Sequence, residues 1–457
     1  MEKKLKSLFD VKNLDYGDVR YEKNETTTIS LENQELKDIK SSYREGGHLR
    51  LFQQGRKVVN SFTSLDEARR IRESLLQLAE KSSRLDEEKK RLKEAPVYQD
   101  EVKIEADSDP RDHSLSAKKE LVEKYNRLAL NENKVIKTEF KYNDFYSRRT
   151  FLNTEGSAIK YELLGGYISG RIYARQGDIV QTKRVKFGAY PEFSNLIDRE
   201  EEVKENIDIL QQMLAADPIS AGSYPVVVNP ELGSVFIHEA FGHLSEADGI
   251  ENNPEFREKL QMGRKLGGKH LTVIDDPNLE HKPGSYKYDD EGQKGRKTEL
   301  IKAGKLNGRL HSRATAASFS EPLSGNMRAV DCHYTPLIRM SNIFIAAGEH
   351  KVEELFDSVE EGYYLLNSRG GQTTGDQFTF GAEYGYKINR GEKEKMVRDI
   401  NLSGELFATL KNISMIADDL TFSEVGGCGK GSPMQLNMFS GKGSPHVKID
   451  DVTIGGK

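Results

Sequence analysis

Two blocks of strand-patterned sequence constrain the fold most. In the first, Val19–Glu22, Thr26–Glu32, Leu36–Ser42, His48–Gln53 and Lys57–Phe62 are rich in β-branched and aromatic residues. Turn residues separate them at Asn24, Asn33, Gly46-Gly47 and Gly55. In the second, Phe140–Tyr146, Arg149–Asn153, Ala158–Leu164, Gly166–Ala174 and Ile179–Lys186 alternate with Gly and Asn turns. That spacing predicts an antiparallel meander. Helical periodicity lies between and after the blocks. Ser64 and Glu67 form a capping box ahead of Leu65, Ala68, Ile71, Leu75, Leu78 and Ala79. Ser116 to Leu130 and Leu196 to Ala215 also read as helices. The mixed-sign run Asp86 to Arg91 reads as a solvated helix end, with a connector near Pro96 to Pro110.

A further unit starts after Asp217-Pro218. Tyr224 to Val228 is a short buried strand, and Asn229-Pro230 is a helix start, with Asn as cap and Pro in the first turn. The helix is expected over Glu231 to Leu244, and one more over Val352–Glu361. Gly-rich strands fill the rest. The fold class is therefore α+β, with strands and helices in the N-terminal part and a β-rich C-terminal unit. The expected divisions are 1–130, a strand-rich segment with a helix at 131–216, and 217–457.

The chain has 457 residues, a net charge of −5 and two cysteines, Cys332 and Cys428. The charge argues against nucleic acid as a partner, since no basic face or helix stands out. A DNA-associated regulator is the reading this disfavours. Two cysteines exclude a disulfide-rich scaffold and fit a reducing, cytoplasmic setting. No apolar stretch is long enough to span a membrane.

The expected helix after Asn229 carries His238-Glu239-Ala240-Phe241-Gly242-His243, an H-E-x-x-x-H pattern. Two imidazoles on one helix can share a zinc ion, and a Glu beside the first can serve as general base on water at the metal. Zincins space the two His at i, i+4. Here the spacing is i, i+5, which on an ideal α-helix turns the side chains about 140° apart. Sharing one metal then needs a π-bulge or an unwound end, and Gly242 is the residue expected to permit it. Leu232, Val235, Phe236, Ile237, Phe241 and Leu244 make the helix apolar on most sides, so two His and a Glu there need a partner. A third ligand is open among Glu246, Asp248 and the distant Cys428 in Gly426-Gly427-Cys428-Gly429-Lys430. That Gly-Lys pair fails the phosphate-loop pattern. Cys332 and His333 are adjacent, but neighbours on a strand face opposite ways. His311 and Arg339 fit substrate binding or structure equally. Asp289-Asp290-Glu291 is most simply a turn.

Several of these stretches together resemble the TldD/PmbA family of cytoplasmic peptidases, in its zinc-motif-bearing, TldD-type branch. They include Tyr224–Val228, His238-Glu239-x-x-x-His243, Gly284-Ser285-Tyr286 with Asp289-Asp290-Glu291-Gly292, and Leu310-His311-Ser312-Arg313. Arg339-Met340-Ser341-Asn342, Gly370-Gly371-Gln372, Gly427-Cys428-Gly429-Lys430 and the closing Val447–Gly456 also fit. The resemblance implies one zinc (Zn2+) held by His238, His243 and Cys428, with Glu239 as catalytic base. It implies hydrolysis of short or unfolded peptides inside a dimer, either a homodimer or a heterodimer with a paralogue lacking the zinc motif. A non-catalytic, peptide-binding subunit of such a dimer is the alternative. Ser432 to Met438 and Asn252 to Lys269 depart from the family pattern, so cleavage specificity is not carried over.

Overall fold

The two strand-patterned blocks join in one sheet. A computed structural model describes residues 1–83 and 91–455. Its first sheet has seven strands. Arg56–Phe62, Glu35–Gln53, Tyr16–Glu32, Val135–Asn153 and Ala158–Gln176 lie side by side, all antiparallel. Ile179–Ala189 and Gln99–Val102 both pair with Ala158–Gln176, so the meander forms as expected and residue 130 separates strands of a single sheet.

Several expected short strands fuse into long ones. Turns expected at Asn24 and Gly46-Gly47 do not form; Asn24 pairs with Arg44, and Glu22 with Gly46, in a continuous ladder. Gly47 serves packing instead, because a Cβ there would meet the Phe62 ring at 2.2 Å. The turns at Asn33 and Gly55 are real and use left-handed backbone (φ 54° and 75°). The connector between Pro96 and Pro110 contributes the strand Gln99–Val102. Apart from Arg91, the charged run Asp86 to Arg91 lies outside the described residues.

Helices cover this sheet. Leu65–Ser82 starts at Ser64, whose hydroxyl accepts the Glu67 N–H. It buries Ala68, Leu75 and Ala79 against Leu49, Leu51 and Phe62. Leu115–Leu130 and Glu200–Ala215 bury Val122, Tyr125, Ile207 and Leu210 against Phe140, Tyr142, Ile168 and Phe187. The last helix begins four residues later than expected, after a tight turn at Phe193–Leu196.

The second half is β-rich. Glu361–Thr374, Gly222–Val228, Val447–Gly455, Ile400–Glu405 and Gln377–Asn389 pair in a closed ring. A six-stranded sheet beside it contains Val273–Asp275, Asn342–Ile345 and Gly441–Ser444. The helix expected at Val352–Glu361 stops at Asp357. No helix among the described residues is long and apolar enough to cross a membrane.

A buried ionic clamp ties the halves together. Asp289-Asp290-Glu291 does form a turn, but the carboxylates of Asp290 and Glu291 face the first sheet. Asp290 accepts from Arg149 at 3.0 Å and lies 3.7 Å from Arg20. Glu291 pairs with Arg50, which also binds Asp18. Asp289 turns inward and accepts the N–H groups of Glu291, Gln293 and Met327. These side chains are almost wholly buried. Burial alone pushes the Asp290 carboxyl up, but Arg20 and Arg149 outweigh it and hold it below the ordinary carboxylate range.

Removing one partner from such a pair strands the other charge. Arg149→Met should therefore cost about 3–5 kcal/mol at neutral pH, read as a lower chemical-denaturation midpoint. A carboxyl with a depressed folded pKa contributes stability above its unfolded value of about 4 and loses it as pH falls. The gap between variant and parent should accordingly narrow in acid. An unchanged midpoint at neutral pH would show that the clamp carries no stability.

Candidate metal centre

The helix that carries the two histidines begins as its sequence dictates. Asn229 Oδ1 accepts the Leu232 N–H at 3.0 Å, and Pro230 occupies the first turn. The helix is α-helical only over Pro230–Phe236. It widens to a π-helix over Ile237–Gly242 and closes with a tight turn at His243–Ser245. A π-turn links residue i to i+5, so residues five apart stack on one side, as i and i+4 do in an α-helix. The wide turn thus brings His238 and His243 to one face. Gly242 does not supply unusual backbone, for its angles are ordinary helical ones (φ −55°, ψ −49°). Its role is space: a Cβ there would meet Met340 Sδ at 2.2 Å.

The two imidazoles lie nearly perpendicular, with centroids 5.4 Å apart. Cys428 approaches from 185 residues away, its Sγ 3.5 Å from His243 Nε2. One ligand atom from each of His238, His243 and Cys428 lies within 4.8 Å of the others, close enough to hold one metal ion. His238 is 1% exposed, and neither ring nitrogen has a hydrogen-bond partner. Burial, reinforced by the charges of His243, Lys442 and Arg339, pushes its pKa well below the usual imidazole value. A neutral, buried imidazole without a partner is costly as a structural group and is the form that binds metal. Two imidazoles and a thiol are a donor set suited to zinc.

His243 is oriented from behind. Its Nδ1 lies 3.0 Å from Glu246 Oε2, which leaves Nε2 facing Cys428. Desolvation opposes a charge on His243, but Glu246 and Cys428 outweigh it and push the imidazole up to about 11. A metal ion at Nε2 competes with that proton. Glu246 is itself held by Lys430, whose Nζ donates to Glu246 at 2.8 Å, Asp248 at 2.7 Å and the Ile338 carbonyl at 3.0 Å. Burial works against an ionised Glu246, yet Lys430 and His243 lower its pKa. Glu246 therefore meets the cluster through His243 Nδ1 while Lys430 holds it from the other side, and Asp248 pairs with Lys430.

Glu239 is one-third exposed, with Oε2 3.8 Å from His243 Nε2. Burial raises its pKa, partly offset by His243 and Lys442. Cys428 opens a short strand, Cys428–Lys430, paired with Gln435–Asn437. Arg339 braces both strands by donating to the carbonyls of Cys428 and Gln435. It is buried, and so is His311, whose ring nitrogens meet Thr315 and Glu321. Cys332 and His333 lie in a turn rather than on a strand, so the expected reason for their separation does not hold. Their side chains and Asp331 do come close. Burial nevertheless pushes the Cys332 thiol up to about 12, far from a reactive thiolate. Sequence reasoning named Lys430 only within the Gly427-Cys428-Gly429-Lys430 stretch and gave it no role, and it missed Lys442, because a lone lysine carries no motif.

The histidine–carboxylate contact generates a prediction. Glu246→Gln should weaken zinc binding about 10–100-fold, measured by competition with a chromophoric chelator. Unchanged affinity would show that Glu246 does not orient His243.

Comparison with known proteins gives this geometry a family. Residues 221–456 match the PmbA/TldA metallopeptidase C-terminal domain, and residues 17–85 match domain 1 of the same group. A metalloprotease of Synechocystis sp. is 36% identical over 97% of this chain and 95% of its own length. A metalloprotease of Methanocaldococcus jannaschii is 34% identical over 91% and 92%. A zinc metalloprotease TldD homolog of Saccharolobus solfataricus is 33% identical over 69% and 70%. The crystal structure of TldE from Thermococcus kodakarensis superposes with a TM-score of 0.78 over 100% of both chains at 18% identity, a likeness of fold. The chain belongs to the PmbA/TldD family of metallopeptidases.

Proposed function

We propose that this metallopeptidase is zinc-dependent, with His238, His243 and Cys428 as the metal ligands and Glu239 as general base. The observation that carries the reading is the convergence of the three donor atoms within 4.8 Å, with the Glu239 carboxylate 3.8 Å from His243. When bound, zinc supplies a Lewis acid that polarises a peptide carbonyl and acidifies water. The chain supplies the rest. Glu239 Oε2 takes a proton from the attacking water and returns it to the leaving amine. The raised pKa of its carboxyl suits a group that must both accept and release a proton. Glu246 and Lys430 keep the His243 ring in one orientation, and Arg339 holds the backbone of Cys428.

The substrates in this reading are short or unfolded peptides. We place the action in the cytoplasm, a setting that suits two free thiols. The family resemblance adds a dimer, with itself or with a paralogue lacking the zinc motif. The exposed Met434 and Leu436, beside the Cys428 strand, are consistent with a face that is covered on assembly.

Glu239→Gln should retain one zinc per chain and slow hydrolysis of an unstructured peptide by about 10²–10⁴-fold. Normal cleavage by that variant would refute the assigned base. Cys428→Ser should lose the metal on elemental analysis, whereas full retention would point to a different third ligand. A parent protein that holds zinc and peptide but never cleaves would favour the non-catalytic subunit.

A further inference from the structure

A cavity of about 860 Å³ lies between the first sheet and the segment that leads to Cys428. Gly426 and Gly427, the two residues before Cys428, form part of its wall. So does Lys442, whose charge acts on both Glu239 and Cys428. The wall of the cavity thus includes the two residues that immediately precede Cys428 in the chain.

The charge of the lining is one-sided. Lys37, Lys141, Arg171, Arg184, Lys186 and Lys442 face the cavity, with Glu32 and Glu139; Lys37 pairs with Glu35, Arg171 lies 3.7 Å from Glu139 and Lys186 lies 4.0 Å from Glu231, so the excess rests on Lys141, Arg184 and Lys442. Both acids are already engaged. Glu139 lies 2.8 Å from Lys137 and accepts from Tyr173 at 3.2 Å, and Glu32 lies 3.5 Å from Lys137. Among the described residues, no carboxylate lies within ion-pair distance of Lys141, Arg184 or Lys442. Arg184 is fixed in place nonetheless, because its guanidinium donates to the Arg369 carbonyl at 2.9 Å. That contact holds the group without neutralising it. The bias is local, for the whole chain carries −5. A cleft lined with one sign of charge concentrates ligands of the other sign. A peptide backbone is neutral, so the ligand's side chains must supply the complementary charge.

We infer that this cavity selects peptides bearing acidic side chains around the bond to be cleaved. The inference rests on the peptidase reading and extends it to a substrate class.

The test uses three unstructured peptides, identical except for four positions that are all acidic, all amide or all lysine. Binding is measured by fluorescence anisotropy on the full-length, zinc-loaded Glu239→Gln protein. Cleavage is measured on the parent protein. The acidic peptide should bind about tenfold or more tighter than the amide peptide, and the lysine peptide weakest. The ratio should shrink as salt rises from about 50 to about 300 mM. Lys141→Glu should lower the ratio of acidic to amide affinity. Equal affinities, or the reverse order, would overturn the inference. Cleavage of all three peptides with equal kcat/KM and equal binding would also overturn it while leaving the peptidase reading intact. Preferred binding of the acidic peptide without cleavage of any would uphold the inference and sink the peptidase reading.

Discussion

Two imidazoles five residues apart must face the same way, and an α-helix cannot make them do so. The turn at Ile237–Gly242 resolves this by widening to i, i+5 hydrogen bonding. The rest of the site follows from that step. Asn229 and Pro230 set where the helix begins, and so where the wide turn falls. Met340 lies against Gly242 and leaves no room for a side chain there. Only after the wide turn does His243 point Nε2 at Cys428 while its Nδ1 meets Glu246.

Three segments distant in sequence must then hold still relative to one another. The ring of strands that contains Gly222–Val228 anchors the histidine helix. The pairing of Asn342–Ile345 with Gly441–Ser444 sets the floor beneath it. Lys430 links the cysteine strand back to Glu246 and Asp248, so one ammonium joins the thiol segment to the histidine segment. At larger scale, the clamp of Asp290 and Glu291 with Arg149 and Arg50 fixes the first sheet against the catalytic half. The cavity beside Gly426 and Gly427 lies between those two halves. Five of its six lining cations come from the first sheet, and the other half contributes Lys442. Buried ion pairs often add little net stability, and their value here is the alignment of two surfaces.

Much of this was legible in the sequence because it is local. Strand patterning, the Asn229 cap and the pairing of His238 with His243 all arise from neighbours along the chain. The spacing of the histidines even implied a wide turn. Turns were over-assigned, because Gly46-Gly47 looks like a hairpin signal until the Phe62 ring is seen packed over it. The wide turn expected at Gly242 forms, and the glycine permits it by making room for Met340 rather than by unusual backbone angles. Cys428 could be selected over Glu246 only through family resemblance, since nothing local joins residue 428 to residue 243. The clamp was opaque for a similar reason. An acidic turn at 289–291 and arginines on three different strands share no pattern in sequence and meet only in the fold.

The central claim is a metal held by two imidazoles and one thiolate. Zinc K-edge X-ray absorption on the purified, zinc-loaded protein tests it most directly. The account predicts a shell with one sulfur at about 2.3 Å and nitrogen or oxygen neighbours at about 2.0–2.1 Å, two of them imidazole. A shell of nitrogen and oxygen alone, with no sulfur, would contradict it.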